Sequence, residues 1–404
     1  MLTPHPYLTT RSHGFLPSPV RDVWEASMRP GVISLAGGNP DLTLAPLEWL
    51  ADASARLIRD RGHEVLQYGA GNGSGGLRES IVELMAAEHV HADAAGIQVT
   101  AGSQMALDIV TKLLCEQGDT ILVEDPTYVG ALGVFGGAGL RVEHVPMDAD
   151  GLVPEALRER IRHLAGEGRR PRMLYTIPNF QNPRGVTLAE SRRPAIVEIC
   201  REAGIPIVED NPYGMLAFEP RRLTSLHELD PEHVVYLGSF SKVLAPGLRV
   251  GWAAAPGWMR RPLQLASEST VICPSPLSQA LAADYVAHHD FRGIIANAAA
   301  VYRERATALR QALVPLLPAG SELTEPTGGF FTWLTLPEGW TTHALLDAAI
   351  DEHVVFVPGA SFCAPGEGAR ELRLAFSFET PERLAEGARR LGLAFERTAA
   401  SVAA

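Results

Sequence analysis

The chain has 404 residues, 46% of them hydrophobic and 20% charged, with a mean hydropathy of +0.03. That is the profile of a soluble globular protein too long for one core. A formal net charge of -12 excludes nucleic acid or an anionic membrane surface as a general partner, because phosphate binding needs a basic field. Cys115, Cys200, Cys273 and Cys363 lie far apart with no C-x-x-C pair, which argues against a zinc knuckle or a disulfide framework. The N-terminus lacks a basic head followed by an apolar stretch, and no run reaches the roughly 18 apolar residues of a membrane span. The expected compartment is the cytoplasm.

In chain order, the first 30 residues are proline-rich and without periodicity, so they are expected to form an arm. From about residue 75 the pattern alternates amphipathic helices with short buried strands, the texture of an α/β domain with a mainly parallel sheet. The strands are expected at 120–123, 141–145, 172–177, 206–208, 234–237 and 250–254, with helices such as 103–116 and 188–203 between them. Gly118 and Gly204 are placed to end two of these helices. Residues 276–316 are rich in Ala and Arg and predict a long helical stretch. An α+β unit follows, with strands at 330–336, 354–357 and 372–377, a helix from Thr342 and a closing helix, and the tail from Thr398 is expected to be disordered. The division this implies is an arm over 1–45, a large domain over 46–290 and a small domain over 291–404.

Of the 35 basic residues only Lys112 and Lys242 are lysine. Arginine stays protonated and cannot serve as a nucleophilic amine, so the search for one narrows to two positions. Lys112 follows Asp108 by one helical turn, which predicts a solvated ion pair. Lys242 follows an apolar strand within Gly238-Ser-Phe-Ser-Lys-Val-Leu-Ala-Pro-Gly-Leu-Arg-Val-Gly251.

Ligands of open parallel sheets bind beyond the carboxyl ends of the strands. Tyr128, Asn182, Asp210, Tyr213 and Lys242 all fall at such ends. The chemistry that joins them is pyridoxal 5'-phosphate, which needs a lysine, a carboxylate beside its ring nitrogen and an anchor for its phosphate. Asp210 fits the carboxylate, Asn182 and Tyr213 can donate to the ring's phenolic oxygen, and Tyr128 can stack on the ring. Ala101-Gly-Ser-Gln104 opens a helix whose free N–H groups favour an anion, and Ser239, Ser241 and Arg249 add donors.

These segments resemble a fold-type-I pyridoxal-phosphate enzyme of the aspartate aminotransferase superfamily. The matching stretches are Ala101 to Gln104, Asp125-Pro-Thr-Tyr128, Pro178 to Gly185, Glu209-Asp-Asn-Pro-Tyr213, Ser239-Phe-Ser-Lys242 with Arg249, and Leu372 to Ser377. The resemblance implies a large domain with a mainly parallel seven-stranded sheet flanked by helices, plus a smaller α+β domain. It implies cofactor binding by Gly102, Ser103, Gln104, Tyr128, Asn182, Asp210, Tyr213, Ser239, Ser241 and Arg249, catalysis at Lys242 with Asp210 and Tyr213, and a clamp by Arg373 on the substrate carboxylate. Gly31 to Asp41 resembles the branch of 2-aminoadipate and kynurenine aminotransferases, in which an N-terminal arm covers the substrate. Phe15, Leu16, Arg21 and Trp24 are the arm's candidates here, with Arg21, Asn182 and Gly38 near the substrate. Tyr68 resembles the tyrosine that reaches the neighbouring subunit's phosphate, which implies a homodimer with shared sites.

The activity so implied moves an amino group from an L-α-amino acid to a 2-oxo acid. The same scaffold also supports a β-lyase, decarboxylase, cyclase or oxidase outcome. A transcription regulator with this sensor fold would need a DNA-binding module ahead of Gly31, and no helix-turn-helix pattern or basic patch precedes it. Gly71-Asn-Gly-Ser-Gly-Gly76 matches a dinucleotide fingerprint but lacks its leading strand and its acidic residue. His89, His91 and Asp93 lack a distant fourth metal ligand, and His288-His289-Asp290 reads as a solvated bend.

Overall fold

Alternation along each short strand decides which face of the main sheet a residue serves. The computed structural model describes residue 5, residues 7–15 and residues 23–402. Its strands are β1 (Ile33–Ser34), β2 (Ile97–Thr100), β3 (Thr120–Asp125), β4 (Arg141–Asp148), β5 (Gly151–Leu152), β6 (Pro171–Thr176), β7 (Ile207–Asp210), β8 (Val234–Ser239) and β9 (Gly251–Ala254), followed by β10 (Glu322–Leu323), β11 (Phe331–Thr335), β12 (Val354–Val355), β13 (Val357–Pro358) and β14 (Glu371–Ala375). Ile121, Val123, Val208 and Val235 pack on one face beneath the helices Ser103–Leu114, Val129–Gly137 and Arg260–Val271, while Leu122, Ile207 and Val234 pack on the other with Pro154–Gly166 and Arg193–Ala203. Period-2 side chains thus bury both faces, as a sheet covered on both sides requires.

The main sheet runs in the order β2-β9-β8-β7-β6-β3-β4-β5. From β4 to β8 all pairs are parallel, and β9 and β2 are added antiparallel. The seven strands implied by the resemblance are present, and the two-residue β5 extends one edge as an eighth. β2 was not among the expected strands. Its sequence Ile-Gln-Val-Thr alternates like a half-exposed strand, yet Gln98 is buried and its amide donates to Gly71 O, Val99 O and Ser267 Oγ.

The second sheet is antiparallel, in the order β10-β11-β14-β13. The helices Phe291–Leu313, Thr342–Asp351 and Pro381–Val402 share a continuous core with it. The expected helical stretch over 276–316 is two helices, Pro276–His288 and Phe291–Leu313, because Asp290 accepts from Gly293 N at 3.0 Å and starts a new helix. The bend between them is only partly solvated, since the His289 ring packs 4.8 Å from Trp49 and 4.5 Å from Tyr285. The helix expected from Leu188 starts at Arg193, whose buried guanidinium binds Leu188 O, Thr224 O and Asn179 Oδ1. The closing helix continues to Val402 where disorder was expected.

Residues 33–39 form an extended thread against this second unit. β1 pairs in parallel with β12, Ala375 N donates to Leu35 O at 2.7 Å, and Ser377 Oγ donates to Asn39 O at 2.7 Å.

Candidate functional site

A cavity of about 290 Å³ opens beyond the carboxyl ends of the parallel strands. β7 ends in Asp210 and leads to Tyr213, the loop after β6 brings Asn182, the loop after β3 brings Tyr128, and the turn after β8 brings Lys242. Arg373 enters from β14 and Gly38 from the thread. These seven residues line one space, as the strand-end argument predicts.

Asp210 is buried, and its Oδ2 accepts from the Tyr175 hydroxyl at 2.7 Å while Oδ1 has no partner among the described residues. Burial pushes its pKa up to about 6, against the pull of the Tyr175 O–H and the Lys242 charge. Lys242 Nζ donates to Gly38 O at 3.0 Å. Burial, then the positive charges of Arg373 and Arg249, bring its pKa down to about 8, with Asp210 opposing. A lysine in that range supplies free amine near neutral pH.

Arg373 is buried and donates to Asn182 Oδ1 at 2.8 Å and to Ala36 O at 2.6 Å. Its guanidinium carbon lies 4.3 Å from the Phe331 ring centre and 4.9 Å from that of Phe362. No carboxylate pairs with it among the described residues, and its Nε is unpartnered. Gly38 must be glycine in this packing, since a Cβ there would sit 2.4 Å from the Phe331 ring.

The residues expected to anchor an anion lie beside the cavity. The helix Ser103–Leu114 begins at Gly102, with φ +86° and no side chain to cap the free N–H groups. A Cβ on Gly102 would meet Arg249 Nη2 at 2.3 Å, and one on Gly251 would meet Ser103 N at 2.5 Å. Arg249, itself at φ 53°, donates to Ala101 O at 3.0 Å. Ser239 Oγ accepts from Ser241 N at 3.0 Å and donates to Ser241 Oγ at 2.9 Å. Gly102, Ser103, Gln104, Ser239, Ser241 and Arg249 are not among the residues that line the cavity. Gln104 and Arg249 border a larger space of about 900 Å³, shared with Arg11 and Phe15, which meets the cavity at Val129 and Gly130. Gln104 turns toward that junction and donates to Gly130 O at 2.7 Å.

Tyr68 is 73% exposed and away from the cavity. Arg21 and Leu16 lie outside the described residues. Lys112 pairs with Asp108 at 2.5 Å on an exposed helix face, as its spacing predicts. His91 bonds Glu228 at 2.9 Å, and Asp93 caps Gly96 and pairs with Arg260. Sequence reasoning missed Tyr175, which sits inside β6 beside a partner on β7 and belongs to no motif. Val129 and Ile177, which complete the walls, were missed for the same reason.

The residues present fit pyridoxal 5'-phosphate on three observations: the unpartnered Asp210 Oδ1 suits a ring N–H, the free helix end beside Arg249 suits a phosphate, and Lys242 suits an aldehyde. The family described as aminotransferase class I and II matches residues 30–391. The chain is 36% identical to aromatic-amino-acid aminotransferase 1 of Thermococcus litoralis, over 95% of this chain and 93% of that one. It is 38% identical to 2-aminoadipate transaminase of Thermus thermophilus, over 94% of each. The solved kynurenine aminotransferase of Pyrococcus horikoshii superposes with a TM-score of 0.92 at 32% identity, covering 97% of both chains. The strand-end constellation and these matches agree: the chain belongs to the class I and II aminotransferases of the fold-type-I, pyridoxal-phosphate-dependent superfamily, near the aminoadipate and kynurenine aminotransferase branch.

Proposed function

We propose that the protein transfers an amino group from an L-α-amino acid to a 2-oxo acid with pyridoxal 5'-phosphate as cofactor. The observation that carries this reading is one cavity holding Lys242 with its lowered pKa, Asp210 with one carboxylate oxygen unpartnered and Arg373 without an acidic partner, both among the described residues. When bound, the cofactor supplies an aldehyde for Lys242 and a sink for the electrons left at the substrate's Cα. Asp210 Oδ1 would accept the ring N–H, and its charge would keep that nitrogen protonated. Tyr128 would pack against the ring, and Asn182 and Tyr213 would donate to its phenolic oxygen. Gly102, Ser103, Gln104, Ser239, Ser241 and Arg249 hold the phosphate. Arg373 fixes the substrate carboxylate through its fork, with Phe331 and Phe362 holding the guanidinium plane. Lys242 Nζ would take the proton from the substrate's Cα as general base and deliver it, as general acid, to the carbon that the cofactor's aldehyde supplies rather than back to Cα. The exposed Tyr68 supports a homodimer in which it reaches the partner's phosphate.

The test loads purified protein with cofactor and mixes it with aromatic, dicarboxylic and aliphatic amino acids, with no 2-oxo acid present. Loss of the bound cofactor's visible absorbance with stoichiometric 2-oxo acid is the expected result and names the donor. Recovery of the absorbance with release of ammonia, carbon dioxide or peroxide would replace transamination by another outcome. Lys242→Ala is expected to abolish the visible absorbance of bound cofactor, and Lys112→Ala to leave it intact; a Lys242→Ala protein that keeps it would remove the assignment.

A further inference from the structure

A second cavity, of about 430 Å³, lies beneath the segment that carries the catalytic carboxylate. The residues from the end of β7 onward divide between the two spaces. Asp210, Pro212 and Tyr213 line the catalytic cavity, whereas Asn211, Gly214, Met215 and Ala217 line the second. The preceding loop divides in the same way, with Asn182 facing the first space and Asn179 the second.

The lining of this second cavity is graded. At its buried end, Asn179 Nδ2 donates to Asn211 Oδ1 at 3.0 Å, Asn211 Nδ2 donates to the Tyr236 hydroxyl at 2.9 Å, and that hydroxyl donates to Glu88 Oε2 at 3.3 Å. Burial pushes Glu88 up to about 8, so this end is a neutral hydrogen-bonding surface. Gly214 lets Glu88 and Asn211 close over it, since a Cβ there would meet them at 2.5 and 2.4 Å. Apolar walls follow, from Leu84, Val90, Met215, Phe218, Phe291 and Ile295. Arg221 and Arg292 stand exposed at the rim, neither in an ion pair among the described residues. Arg221 is held over the Phe180 ring at 5.1 Å and donates to Thr187 Oγ1 at 3.0 Å.

A volume of this size, mostly apolar with a few convergent polar groups, is that of a small-molecule site. The cationic rim selects an anion, the walls select a flat apolar body, and the buried amides and neutral carboxyl select a polar hydrogen at the far end. We propose that this cavity binds a small aryl carboxylate bearing an N–H or O–H opposite its carboxylate, and that the bound ligand acts on the catalytic cavity through residues 210–217. The binding claim is independent of the reaction proposed above, and only the coupling readout rests on that reading.

The test titrates the cofactor-loaded protein with indole-3-propionate by calorimetry while recording the cofactor's visible absorbance. One saturable event per chain is expected, with an absorbance change that follows the same isotherm. Ala296→Trp, which places an indole in the cavity from an exposed helix position, is expected to abolish that event. Arg221→Gln is expected to weaken it by about tenfold, the size of one charge-assisted hydrogen bond. Absence of a saturable event, or binding equally strong in the Ala296→Trp protein, overturns the site and places the probe elsewhere, such as under Arg373. Binding that leaves the absorbance unchanged overturns the coupling. Because the heat is read without turnover, a protein inactive in transamination still reports on the site.

Discussion

Two lysines of one chain meet opposite fates through their surroundings. Lys112 shares an exposed helix face with Asp108 and pairs with it there, whereas Lys242 faces the cavity near the positive charges of Arg373 and Arg249 and loses proton affinity. Asp210 is tuned from a less obvious position, because among the described side chains it is the Tyr175 hydroxyl that donates to it. That hydrogen bond holds the carboxyl's pKa below where burial would carry it. Tyr175→Phe is therefore expected to raise the Asp210 pKa and move the acid limb of the kcat profile to higher pH. The rate at the optimum should fall about tenfold, the lower end of the value of a hydrogen bond to a charged group. An acid limb in the same place with reduced stability alone would make Tyr175 a packing residue only.

At the level of elements, β3, β7 and β8 were legible because each carries a short run of Val, Ile or Leu bounded by turns, and the reactive residues fall where such strands end. The two-residue strands β1, β5 and β10 are too short for any period to register, and the strand expected over 354–357 is divided into β12 and β13. The aromatic pair about Arg373 was not legible as a pair either, because Phe331 comes from β11, which pairs with β14, and Phe362 from the turn after β13. The arm docks by a rule that sequence does not announce. The turn Thr10–Gly14 meets the helix Val129–Gly137 through glycines, and a Cβ on Gly14 would lie 2.0 Å from Gly136 O. Gly14→Ala is expected to release that turn, so limited proteolysis should cut within residues 7–15 faster, while the unfolding temperature changes little because few core residues are involved. Unchanged protection would refute the contact.

Over the whole molecule, buried carboxyls set the pH response. Burial raises Glu88 to about 8 and Glu124 to about 7, from an ordinary value of 4.5. The folded state keeps protons there that the unfolded chain releases, so this contribution to stability is full below about pH 4.5 and is lost as pH rises through 7 and 8. The unfolding temperature of cofactor-free protein is expected to fall over that interval, and Glu88→Gln to flatten its upper part; a wild-type curve already flat between pH 6 and 8 would contradict the protonated state. Lys242, with its lowered pKa, acts in the opposite sense only above about pH 8. The thread at residues 33–39 sets a different kind of order, in time. Arg373 binds Ala36 O across 337 positions of sequence, and at ordinary rates of translation that interval takes roughly 20 s to a minute. Through nearly all of that interval the thread has neither β12 to pair with nor the β14 guanidinium to hold. A nascent chain halted before β14 has its amine and its carboxylate but no guanidinium fork, so the three charged groups of the cavity are completed one after another in the order of the strands that carry them.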